Sequence, residues 1–197
     1  MIIGAPSIFA LESGITQAYT RLSFRALGFF VIHVAGRRYG VYESDATMLA
    51  NSFDEVNDRI AHRGKHIAPF AVETDAGKIA DAFRRALYAD DQMGELFLGI
   101  PQPKFVELIY SKHIIWAPDG DEAFDDDSYI LQFDVNDRVR LIAFRSTKDG
   151  HYDHATLSDV WLPANDFYRI LQQWIDAFES EWTAMPKVSD AEYGPNS

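Results

Sequence analysis

The stretch Gly28-Phe-Phe-Val-Ile-His-Val-Ala35 constrains this chain more than any other. It is apolar on both faces of an extended backbone and rich in β-branched residues, the pattern of a central strand covered from both sides. The apolar run around it, Leu27 to Ala35, is about half of the ~20 residues that a membrane-spanning helix needs. Gly36-Arg37-Arg38 then makes a turn, and Tyr39–Tyr42 returns as a neighbouring strand. His33 lies on the Phe29–Val31 face, where a core histidine bonded to a backbone carbonyl is expected.

The flanking segments decide what covers that strand. Met1–Glu12 reads as two short extended pieces around a turn at Gly4–Pro6. Asp45 is expected to cap a helix running to about His62, with Met48, Leu49, Phe53, Val56 and Ile60 at helical spacing. A second helix is expected from about Asp75 to Tyr88, and Met93–Leu98 as a further turn. Lys112–Trp116 reads as a strand, and Ser128–Val135 with Val139–Phe144 as a hairpin. A three-residue loop, Asn136–Arg138, would pair Val135 with Val139 and Phe133 with Leu141, and set Asp134 opposite Arg140. Thr156–Leu162 is another strand. Pro163 opens a last helix whose stripe runs through Phe167, Leu171, Trp174, Phe178 and Trp182. Strands, two helices, strands and a helix in that order favour an α+β fold with a mainly antiparallel sheet over a βαβ arrangement. No linker divides the chain, so residues 1–184 are expected to form one α+β domain and 185–197 a flexible C-terminal tail.

Charge enters the argument through its placement. The 18 Lys+Arg against 30 Asp+Glu give a formal net charge of -12. Residues 116–197 hold 6 basic and 17 acidic side chains, so nearly all the excess lies there. The densest part is Asp119-Gly-Asp-Glu-Ala-Phe-Asp-Asp-Asp127. Such a run repels itself and is expected as an exposed loop facing a partner. The partner-binding residues read from it are Asp119, Asp121, Glu122, Asp125, Asp126 and Asp127, with Phe124 and Trp116 as apolar anchors. An acidic chain is a poor binder of phosphates, so direct nucleic-acid binding is not expected.

Chemistry-bearing motifs are scarce. The chain has no cysteine, which excludes disulfides, thiolate metal sites and a cysteine nucleophile. There is no G-x-S-x-G, Walker or dinucleotide glycine pattern. An EF-hand beginning at Asp119 would need Glu at its twelfth position, where Ile130 stands. His151-Tyr-Asp-His154 and His62-Arg-Gly-Lys-His66 are the two histidine pairs, each read as solvent-exposed. No catalytic residue, metal ligand or cofactor is assigned. The alternative to a binding protein is a metal-assisted hydrolase using His151, His154 and carboxylates such as Asp153 or Asp119. The N-terminus has no basic n-region and Pro6 breaks its apolar stretch, so no signal peptide, no membrane contact and a cytoplasmic location are expected.

Several pieces together carry a family resemblance. They are Met1-Ile-Ile-Gly with Ser7-Ile-Phe-Ala-Leu-Glu12, then Gly28–Gly36 with Tyr39-Gly40. Asp45-Ala-Thr-Met-Leu49 follows, and Val160-Trp-Leu-Pro163 leads into the closing helix. This resembles the immunity proteins of bacterial polymorphic-toxin and contact-dependent inhibition systems, most closely immunity protein family 42. The resemblance implies a non-catalytic cytoplasmic inhibitor that binds one cognate toxin C-terminal domain. Many such toxins are nucleases, a tRNase for example, with basic substrate surfaces that an acidic inhibitor can occupy. The family brings no catalytic residues to carry over.

Overall fold

A computed structural model describes residues 1–88, 94–116 and 121–188. β1 (Ile2–Ala5) and β2 (Phe9–Tyr19) form an antiparallel hairpin with Ala5 opposite Phe9. β3 (Ala26–Val34) pairs along the other side of β2, from Phe9 opposite Val34 to Ala18 opposite Ala26, with a bulge between Ile15 and Gln17. Gly28 makes this approach possible, because a Cβ there would lie 2.0 Å from the Gly14 carbonyl oxygen. β4 (Arg37–Tyr39) and β5 (Thr47–Met48) share the far edge of β3. Phe30, Ile32 and Val34 point into the core. His33 is half-buried on the other face, where its Nε2 lies 2.8 Å from Glu12 Oε2 rather than on a backbone carbonyl.

α1 (Leu49–Ala61) begins at Met48 with no side-chain cap. Asp45 is exposed and stands too early to cap it, because Thr47 and Met48 are still paired with Gly28 and Leu27. α2 (Ala76–Tyr88) starts where expected, with Asp75 Oδ1 accepting from Gly77 N at 2.9 Å. β6 (Leu96–Phe97) and β7 (Ile100–Pro101) make a small hairpin where a helical turn was expected. Met93 lies outside the described residues. α3 (Gln102–Ser111) follows, unforeseen in the sequence. Its first turn carries Pro103, which a helix tolerates there, and it buries Phe105 and Ile109 four residues apart. The strand expected over 112–116 shrinks to one bridge, Ile115 to Leu131.

β8 (Ser128–Val135), β9 (Arg138–Arg145) and β10 (Ser158–Pro163) form a second antiparallel sheet in the order β10-β9-β8. Its hairpin corrects the expected register. Val135 faces Arg138, Asp134 faces Val139 and Phe133 faces Arg140, so the loop is Asn136-Asp137 alone. Asn136 takes the left-handed φ of 55° that tight two-residue turns use at their first position. Both faces of this sheet are buried, so apolar pairing does not choose between registers. Arg140 pairs instead with Asp159 Oδ2 at 2.8 Å and donates to the Ala71 carbonyl at 2.9 Å.

α4 (Ala164–Ala184) closes the fold against β1, β2 and α1. Trp174 on it stacks on Phe178 at 5.2 Å, meets Phe30 edge-on at 5.1 Å and donates to Ser13 Oγ at 3.1 Å. Rings of this size bury a large apolar area while the indole N–H keeps a partner. β11 (Lys187–Val188) adds to β2 in parallel. The tail expected from residue 185 therefore begins as a paired strand, and its residues 189–197 lie outside the described residues.

Two apolar clusters result. The first lies between the β1–β4 sheet, α1, α4 and one face of the second sheet, through Ile130, Val139, Leu141 and Ala143. The other joins α2, α3 and the opposite face, through Leu131, Phe133, Ile142 and Phe144. The fold is α+β, with mainly antiparallel sheets.

A buried polar seam joins the two clusters. Arg59 is fully buried and donates to Glu55 Oε1 at 2.7 Å, Gln132 Oε1 at 3.0 Å, the His113 carbonyl at 3.1 Å and the Ile115 carbonyl. Asp134 accepts from the Tyr168 hydroxyl at 2.9 Å and from Gly64 N at 2.7 Å. Burial, reinforced by the Asp134 carboxylate, pushes the Tyr168 phenol up, so it remains a donor.

Candidate partner-binding surface

The acidic segment is built on the first cluster rather than hung from it. Trp116 is 1% exposed. Its backbone N–H donates to the Ile130 carbonyl at 2.9 Å, its ring meets Phe167 edge-on, and the Arg59 guanidinium lies 4.5 Å from the ring centre. Residues 122–124 form one 3-10 turn capped by Asp121, whose Oδ1 accepts from Ala123 N at 3.0 Å. The turn points Phe124 inward, 9% exposed and edge-on to Phe30 at 6.4 Å. Trp116 and Phe124 are thus core side chains that hold the segment down, not the surface anchors expected of them. An aromatic between acids packs inward when the core beneath has room for it.

The acids divide into fixed and free. Asp126 is fixed: Oδ2 accepts from Arg145 Nη2 at 2.8 Å and Nε at 3.1 Å, and from Gly40 N at 3.2 Å. Asp121 is half-buried by its capping role, and burial, together with the nearby Asp125 and Glu122 charges, pushes its carboxyl up. Glu122, Asp125 and Asp127 are exposed. Asp127 holds a left-handed φ of 61° while its carbonyl accepts from Ser146 N at 2.9 Å. Asp119 lies outside the described residues.

Sequence reasoning missed the neighbour of this segment. The Ala123 carbonyl accepts from Val41 N at 2.8 Å and Asp126 Oδ2 from Gly40 N at 3.2 Å, so the backbone at Gly40 and Val41 runs beside the acids. Gly40, at φ 109°, allows that contact, since a Cβ there would lie 2.9 Å from the Ala123 carbonyl oxygen. Beyond it Tyr42 is 46% exposed, with Arg38 4.2 Å from its ring centre and Glu12 Oε1 accepting its hydroxyl at 3.0 Å. Glu43 and Asp45 beside it are exposed. The exposed aromatic next to the acidic segment is Tyr42. Its position after a strand carried no signal, because the hydrogen bond to Ala123 spans 82 residues of sequence.

The residues of the hydrolase alternative engage elsewhere. His154 Nδ1 lies 2.8 Å from the Tyr152 hydroxyl, Asp153 caps a short turn through Ala155 N at 2.9 Å, and His151 is exposed. Of the other pair, His66 is fully buried rather than exposed. No helix among the described residues is long and apolar enough to cross a membrane.

The fold places the chain among small α+β proteins assembled from two mainly antiparallel sheets. The crystal structure of CdiI from Burkholderia dolosa AUO158 is similar to it, with a TM-score of 0.57 at 15% identity over 90% of this chain and 99% of that one. The model of the Immunity protein 42 family matches residues 1–177, and the chain belongs to that family. Its role is that of an immunity protein, the neutralisation of a toxin. No curated protein matches the chain.

Proposed function

We propose that this protein binds its cognate toxin's C-terminal domain in the cytoplasm and inhibits it without catalysis, and that this toxin is a basic domain, a nuclease such as a tRNase. The observation that carries this reading is the set of exposed acids, Glu122, Asp125 and Asp127, on a segment pinned by Trp116, Phe124 and the Asp126–Arg145 ion pair. Acids held on a rigid base meet a basic surface with little ordering cost on binding. Asp119 and Asp121 belong to the same acidic segment, and Tyr42, Glu43 and Asp45 extend the surface. The likeness to a CdiI supports delivery of the toxin by a neighbouring bacterium.

Co-expression tests the reading. Cells producing the toxin domain encoded by the adjacent reading frame should survive when this protein is made and should lose intact RNA or DNA when it is not. Survival without nucleic-acid damage in the unprotected cells would exclude a nuclease partner, and death despite abundant folded protein would exclude the pairing itself.

A further inference from the structure

We propose that Asp58, His62 and His113 form a binding site for a divalent transition metal of the zinc class, tying α1 to the turn after α3. Among the described residues these three side chains bring a ligand atom each to within 4.8 Å of one another. Asp58 and His62 stand one turn apart on α1, with His62 Nδ1 3.0 Å from Asp58 Oδ1. His113 Nδ1 approaches the other oxygen, Oδ2, at 3.1 Å, and the two imidazoles stack at 4.7 Å. One carboxylate thus holds two imidazole nitrogens at hydrogen-bond distance. A cation taking the place of the bridging protons would need only small side-chain shifts to reach the ~2.0–2.2 Å of zinc–nitrogen and zinc–oxygen bonds.

The site is preorganised. The backbone of His113 holds a left-handed φ of 48°, and its carbonyl accepts from the buried Arg59 Nη1 at 3.1 Å and His66 Nδ1 at 3.0 Å. A cleft of about 320 Å³ borders His62 and His113 and leaves room for water as a further ligand. Two imidazoles and one carboxylate suit Zn²⁺, Ni²⁺ or Co²⁺ and not the all-oxygen preference of Mg²⁺ or Ca²⁺. Because α1 packs in the first cluster and α3 in the second, an ion here would brace the two against each other.

The test uses the full, tag-free chain stripped with chelator and titrated with Zn²⁺ alone, read by calorimetry and by thermal unfolding. One equivalent should bind and raise the unfolding temperature, and chelator should reverse the rise. His62→Ala and His113→Asn should each weaken binding by about tenfold or more. Asn tolerates the positive φ at position 113, and circular dichroism confirms that each variant is folded. His154→Ala should bind like wild type. No saturable Zn²⁺ binding by the wild type, or binding that either His62→Ala or His113→Asn leaves unchanged, overturns the assignment.

Discussion

His66 shows how a single side chain in the polar seam couples stability to pH. Its Nδ1 lies 3.1 Å from the Lys112 carbonyl and 3.0 Å from that of His113, which fixes the proton on Nδ1. Its Nε2 is buried with no hydrogen-bond partner among the described residues. Burial first, and the Arg59 charge second, hold its pKa below the usual 6.5, against the opposing pull of Asp134 and the two carbonyls. Above about pH 6.5 both folded and unfolded chains carry a neutral imidazole. As the pH falls below that value the unfolded chain takes the proton and the folded one resists it, so stability is lost. Glu55 works the other way, since burial raises its carboxyl above 4.5 and favours the folded state as the pH falls through that raised value. His66→Asn keeps a donor near the Nδ1 position without a titrating group. Denaturant midpoints between pH 7.5 and 5.5 should therefore fall less for that variant than for wild type. An equal or steeper fall would show that His66 does not carry the dependence.

At the scale of elements, the β8–β9 turn is the sharpest correction and the easiest to probe. Asn136→Val puts a β-branched residue at φ 55°, which costs about 1–2 kcal/mol, whereas Asn136→Gly should be neutral or mildly stabilising. Equilibrium urea unfolding checks both, with a three-residue loop predicting no such asymmetry. Much else at this scale was legible. The β3 strand, α2 behind its Asp75 cap and α4 behind Pro163 all follow from periodicity and capping chemistry. What was not legible had tertiary causes. α1 begins late because Thr47 and Met48 pair with β3. α3 was hidden because ten residues with Pro101 just before them and Pro103 at their second position make a weak helical pattern. The register of β8 on β9 could not be read because β8 and β9 bury both faces, and because Asp134 finds its partners in Gly64, His66 and Tyr168 rather than in Arg140.

For the molecule as a whole, the sequence located the charge but not its division of labour. The acidic run between Asp119 and Asp127 was plain in the composition. Which of its acids are free was not, since Asp126 is claimed by Arg145 across the second sheet and by Gly40, 86 residues away. Trp116 and Phe124 looked like anchors and are instead the floor on which the acids stand. A net charge of -12 with exposed acids on one braced segment should steer a basic partner at low salt, because screening over about 10 Å at 0.1 M ionic strength acts on exposed charges. The most direct test is the association rate with the cognate toxin domain across a salt series, for wild type and for Glu122→Gln/Asp125→Asn/Asp127→Asn, with Asp126 left intact to preserve its structural ion pair. The account predicts about tenfold slower association for the triple variant at low salt, a difference that closes as salt is raised, and an unchanged unfolding midpoint. Association that is equally fast in both proteins at every salt concentration would contradict it.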